Sequence, residues 1–162
     1  MENKIMKKLF LALTTLMLSC PVFAVTVSSS IPMSVEIAKQ CTFSNVSSAI
    51  DLKEDGSVTT EGYTVTCNTP YSIFADNAKW EGGWYGYISN AENERLQTKF
   101  KTIALSDNVE VSLHAGRPPL ARSGYSVDDY LITAQVDLVN SPITATTRAG
   151  IYTDTYLVSV YY

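Results

Sequence analysis

The chain has 162 residues, with 12 Lys and Arg against 16 Asp and Glu, a single histidine and three cysteines. An acidic balance with no basic tract excludes nucleic-acid binding, and one histidine without a C-x-x-C pair supports neither a metal site nor a redox couple. No catalytic, cofactor-binding or metal-ligating set is predicted.

Lys4, Lys7 and Lys8 precede an apolar run over residues 9–18, and Pro21-Val22-Phe23-Ala24 follows it. This three-part layout predicts a secretory signal peptide over residues 1–24, cut after Ala24. The run is too short for a spanning helix. A competing reading lipidates Cys20, but Leu18 is bulky where such signals carry a small residue. From Val25 onward nine basic and fifteen acidic residues remain, a net charge of −6, in a length that suits one domain with one core. Export places the two remaining cysteines, Cys41 and Cys67, where thiols oxidise, and an intramolecular disulfide is expected.

Ile31, Met33, Val35 and Ile37 alternate with Pro32, Ser34, Glu36 and Ala38, and Val25 and Val27 continue the pattern upstream. Period two predicts a strand with one apolar face. On periodicity alone it is either the first strand of its own domain or a strand offered elsewhere. Further strands are expected where Tyr63, Val65 and Cys67, then Val109, Val111 and Leu113, then Ile132, Ala134, Val136 and Leu138 alternate with polar neighbours. Asp55-Gly56, Asn68-Thr69-Pro70, Gly82-Gly83, Ser106-Asp107-Asn108, Arg117-Pro118-Pro119, Asn140-Ser141-Pro142 and Ala149-Gly150 read as turns. Only residues 90–96 have helix-forming composition, in a loop of one or two turns at most. Many short strands with frequent turns predict an all-β sandwich.

Trp80, Trp84, Tyr85 and Tyr87 surround three glycines. Inward, they supply the interior of a small sandwich; outward, they form an adhesive patch for carbohydrate or an apolar surface. Packing is the simpler reading. His114 reads as a strand-end residue, and Asp128-Asp129 with Asp51, Glu54 and Asp55 as solvated turns, since neither cluster has the alternating spacing of a calcium loop. At the C-terminal end Tyr156, Val158, Val160 and Tyr162 fall on one face of a strand that must be docked in a sheet.

The ending A-G-x-Y-x-D-T-x-x-V-x-V-x-aromatic, filled by Ala149, Gly150, Tyr152, Asp154, Thr155, Val158, Val160 and Tyr162, resembles that of the spore coat protein U family, which includes subunits of archaic chaperone-usher pili. The start is similar too: an alternating apolar strand ending at Ile37, then Cys41-Thr42-Phe43, then Cys67 inside Thr64-Val65-Thr66-Cys67. Ile50-Asp51-Leu52 stands where that family more often has a Phe-Gly pair.

This resemblance implies an immunoglobulin-like sandwich over residues 41–162 that lacks its final strand, with residues 25–40 as a donor-strand extension. Ile31, Met33, Val35 and Ile37 would fill the groove of the next subunit, a known form of strand addition. A periplasmic chaperone would cover the Tyr156, Val158, Val160 and Tyr162 strand beforehand, and an outer-membrane usher would assemble the fibre at the cell surface for adhesion or biofilm formation. The implied role is a structural pilin and not an enzyme. The alternatives are a secreted coat or matrix protein of the same fold that does not polymerise, or a minor adhesive subunit. Pro32 has no N–H to give a ladder, which constrains how the donor strand inserts.

Overall fold

The computed structural model describes residues 28–82, 84–111 and 118–162. The predicted signal peptide with Cys20, the upstream Val25 and Val27, and His114 lie outside the described residues. The chain divides into two units, Met1–Glu36 and Ile37–Tyr162. In the first, residues 28–36 carry no regular secondary structure, and Ile31, Met33 and Val35 are exposed. The strand expected there does not form among the described residues, because a strand is defined by its ladder and none of the described strands pairs with this segment.

The second unit contains ten strands among the described residues: β1 (Cys41–Ser44), β2 (Thr59–Cys67), β3 (Tyr71–Asn77), β4 (Trp80–Gly82), β5 (Tyr85–Ser89), β6 (Arg95–Ala104), β7 (Glu110–Val111), β8 (Leu120–Arg122), β9 (Val127–Val136) and β10 (Tyr156–Tyr161). They form two antiparallel sheets. One has the order β1-β2-β9-β6-β5-β4, with β7 also paired to β6; the other is β10-β3-β8. Taking β1, β2, β3, β6, β9 and β10 as A to F, the first sheet contains A-B-E-D and the second C-F, which is the strand order of an immunoglobulin-like sandwich. Strand G, which would flank β10, has no counterpart among the described residues.

Period-two burial explains how the sheets face one another. Tyr63, Val65 and Cys67 of β2, Phe100 and Ala104 of β6, and Tyr130, Ile132 and Ala134 of β9 are buried against Tyr71, Ile73 and Ala75 of β3. Tyr156, Val158 and Val160 of β10 pack on this cluster while only partly buried. A smaller cluster of Ile88, Leu96 and Val136 extends it. Cys41 and Cys67 stand opposite one another in the β1–β2 ladder and form a disulfide.

Several expectations are corrected. Residues 90–96 have no helical turn: Asn90 Oδ1 accepts the N–H groups of Glu92 and Glu94, making a side-chain-closed turn, and Leu96 is buried in β6. Strand β9 ends at Val136, because Asp137 Oδ1 accepts the Val139 N–H and closes the next turn, which takes Leu138 with it. It also begins at Val127, so Asp128-Asp129 is strand rather than turn. Asp128 is buried and accepts the Tyr71 hydroxyl at 2.5 Å, while Asp129 accepts from Thr64 Oγ1 at 2.6 Å. Hydroxyls on β3 of the facing sheet and on the adjacent β2 thus solvate carboxylates that read as surface groups in isolation. Around Val111 the described strand is limited to Glu110–Val111.

Candidate functional site

Beside β10 the sandwich is open. A groove of about 850 Å³ runs between the β10 side of the smaller sheet and the segment 46–54 that follows β1. Its floor is the inner face of the larger sheet, with Tyr63, Phe100, Ile132 and Val136; Ile50 and Leu52 form one wall, and Tyr156 and Val158 the other. The segment 46–54 forms no strand, so it presents side chains rather than a regular ladder edge.

The other wall is a ladder edge. Ala78 N–H donates to Thr155 C=O at 2.9 Å, and Tyr156 stands opposite Asn77, Val158 opposite Ala75 and Val160 opposite Ile73. Since antiparallel pairing alternates along a strand, Thr155, Leu157, Ser159 and Tyr161 turn their peptide groups toward β3. Tyr156, Val158 and Val160 therefore turn theirs toward the groove while their side chains face the core. The groove combines an apolar floor with a row of backbone donors and acceptors, the two things an added strand requires.

Polar groups on the floor are few and neutral. Burial pushes the Tyr63 hydroxyl far up, with Tyr156 and Tyr130 adding to it, and burial likewise raises Tyr156. Tyr156 Oη is hydrogen-bonded to Thr102 Oγ1, and the buried Tyr63 Oη lies beside Tyr156. The C-terminal motif has structural work of its own. Asp154 Oδ2 accepts from Asn77 Nδ2 at 3.0 Å and from Lys79 N–H at 3.2 Å, fixing the chain as it enters β10. Gly86 makes room for this, because a Cβ there would lie 1.9 Å from Asn77 Nδ2. Tyr152 donates to Arg148 C=O at 2.9 Å and lines the groove.

The residues singled out in the sequence separate into three places. Tyr156, Val158 and Val160 lie on the core side of β10. Tyr162 lies beyond β10, whose ladder with β3 ends at Tyr161 opposite Ser72, and it is 56 % exposed. Ile31, Met33, Val35 and Ile37 are 78–95 % exposed. Trp84 is half-exposed and its indole N–H donates to Glu110, while Tyr85 and Tyr87 lie on the outer face of β5 and alternate with buried Gly86 and Ile88. These three aromatics are therefore not the interior of the sandwich, which is filled by Tyr63, Tyr71, Phe100 and Tyr130 instead. The side chain of Trp80 lies outside what the structure describes. Sequence reading missed Ile50, Leu52, Phe100 and Ile132 as groove residues; Ile50-Asp51-Leu52 carried an alternating signal, but one too short to distinguish a wall from a strand.

Among solved structures, the chain is similar to a chain of the CsuC-CsuE chaperone-tip adhesion subunit pre-assembly complex from the archaic chaperone-usher Csu pili of Acinetobacter baumannii. The identity is 15 %, the TM-score 0.48, and the match covers 78 % of this chain and 40 % of that one. It is also similar, at 8 % identity and a TM-score of 0.46, to a chain of a chaperone-tip adhesin complex of CFA/I fimbriae biogenesis, over 74 % of this chain and 40 % of that one. This chain thus spans 40 % of the length of each of these two. No family model matches it, and no curated protein matches it.

Proposed function

We propose that this protein is a structural subunit of a surface fibre, exported through the periplasm, and that each copy lends residues 31–37 to the groove of a neighbour. The observation that carries this reading is the groove itself, apolar on its floor and bordered by an edge of β10 that pairs with no described strand. The chain also has a segment of matching character, because Ile31, Met33, Val35 and Ile37 are apolar at every second position and exposed.

Strand parity gives the occupant a direction. If the donor runs antiparallel to β10, Ile31, Met33, Val35 and Ile37 pair their peptide groups with those of Tyr156, Val158 and Val160, and Pro32 turns its nitrogen to the other wall. That wall has no ladder to interrupt, so Pro32 costs little there. A parallel donor would set the missing N–H of Pro32 against β10. Before assembly the same edge would be covered by a periplasmic chaperone, with an outer-membrane usher accepting the complex. In this reading the protein is not an enzyme, and adhesion or biofilm formation is the outcome.

A synthetic peptide of residues 28–40 tests the groove directly. Added to the purified full chain, it should raise the thermal midpoint in a concentration-dependent way, and a peptide with aspartate in place of Val35 should not. Equal effects of the two peptides would reject the groove as the acceptor.

A further inference from the structure

One end of the sandwich carries an aromatic side chain that its own packing does not use. Register brings the starts of β1, β3 and β9 and the ends of β2 and β10 to this end, since Cys41 stands opposite Cys67, Val127 opposite Thr66 and Tyr161 opposite Ser72. Residues 38–40 are held to it by the turn that joins β2 to β3. Asn68 Nδ2 donates to Ala38 C=O at 2.9 Å, Gln40 N–H to Asn68 Oδ1 at 2.7 Å, and Asn68 N–H to Gln40 C=O at 3.0 Å. Gly124 and Tyr125 press on the same turn: a Cβ on Gly124 would lie 1.9 Å from the Thr69 carbonyl oxygen, and Tyr125 N–H donates to Cys67 C=O at 2.8 Å. Both residues have positive φ, 69° and 60°. The other such non-glycine residues described are Asn45, Asn93 and Asn108, of the type that tolerates the left-handed region, whereas an aromatic residue is strained there. That strain holds Tyr125 outward, 74 % exposed, with exposed Val127 at the same end. At the opposite end, where β9 stops and β10 begins, Val139 and Ile151 are also exposed, and Ile151 lines the groove.

We propose that these two ends meet between copies: the end carrying Tyr125 docks on the end carrying Val139 and Ile151 of the copy that receives its strand. This rests on the strand donation proposed above. With the donor antiparallel to β10, Ile37 reaches the Tyr156 end of the acceptor's groove, and only Ala38, Lys39 and Gln40 separate it from Cys41 of its own domain. Four residue steps span at most about 14 Å when fully extended. They are not free to extend, because Asn68 holds Ala38 and Gln40. The acceptor must therefore come up to the Asn68 turn, beside which Tyr125 stands. A second copy is the occupant that this chain path brings to the surface. A small contact suffices, since across so short a link the second association is intramolecular. Tyrosine suits it, offering a large rigid area at low conformational cost. Joining one end to the other is a heterologous contact, which repeats along a fibre instead of closing as a two-fold dimer does.

The test reads the groove and the ends separately. Tyr125→Ser should respond to the peptide of residues 28–40 as the unaltered chain does, yet its subunits should leave assembled fibres about tenfold faster, the loss expected of an interface tyrosine. In purified fibres of a Tyr125→Cys, Val139→Cys double variant, a short bismaleimide should give a ladder of covalent multimers on a denaturing gel, and neither single variant should. Release of Tyr125→Ser at the unaltered rate, or a double variant that gives no more multimers than the single ones, overturns the proposal and leaves strand donation standing. Loss of chaperone-bound Tyr125→Ser with fibre release unchanged would assign the ring to the chaperone and overturn it too. Should variants at Tyr125 fail to fold, Val139→Asp decides alone: it alters an exposed side chain at the other end and should speed release to a similar extent. A peptide that does not stabilise the unaltered chain overturns strand donation itself, and this inference with it.

Discussion

Replacing Val35 by aspartate separates assembly from folding. Ile31, Met33, Val35 and Ile37 are 84, 95, 85 and 78 % exposed, so nearly all of their apolar surface is available for burial in a partner. At roughly 1.5–3 kcal/mol for each side chain, full insertion contributes about 6–12 kcal/mol before ordering costs. Val35→Asp removes one such share and adds several kcal/mol for a carboxylate buried among Tyr63, Phe100 and Ile132. A combined loss of about 4–6 kcal/mol lowers groove affinity on the order of a thousandfold or more. Glu36→Ser, on the opposite face of the strand, leaves these contacts in place. The assay compares fibre yield with the yield of soluble chaperone-bound subunit for both variants. Val35→Asp should abolish fibres and spare the subunit, and Glu36→Ser should spare both. If Val35→Asp destroys the soluble subunit as well, the segment belongs to its own domain and strand donation is refuted.

Cys41→Ser should sharply lower subunit yield, because a crosslink over a sequence separation of 26 contributes roughly 3.5 kcal/mol; two free thiols found by mass spectrometry in exported protein would contradict this. Val160→Asp places a charge on the core side of β10 and should leave the subunit degraded in the periplasm even with chaperone present, whereas normal accumulation on an immunoblot would count against the docking of that strand. Tyr71→Phe removes the hydroxyl that serves both Asp128 and Tyr130, leaving a buried carboxylate short of a donor. Chemical denaturation should show a loss of about 1–3 kcal/mol, and an unchanged midpoint would show that the bond does not contribute.

Part of the protein was legible in its sequence because strand burial has period two and covalent chemistry follows compartment. The alternation through Tyr63, Val65 and Cys67 placed the inner face of β2, and the same rule placed Tyr156, Val158 and Val160 on β10. Two cysteines beyond the predicted signal peptide sufficed for the disulfide. Tertiary structure decided what depends on neighbours. Asp128 reads as a turn residue until Tyr71 from another strand is seen to solvate it, and Trp84, Tyr85 and Tyr87 read as core until the buried places are found occupied by Tyr63, Tyr71, Phe100 and Tyr130. The groove was decided in the same way. Ile50 with Leu52, Phe100 and Ile132 come from three separate parts of the chain, and an opening among them exists only once two sheets have packed and one edge of β10 is paired with no described strand. Periodicity assigns a residue to a face; only packing determines what that face meets.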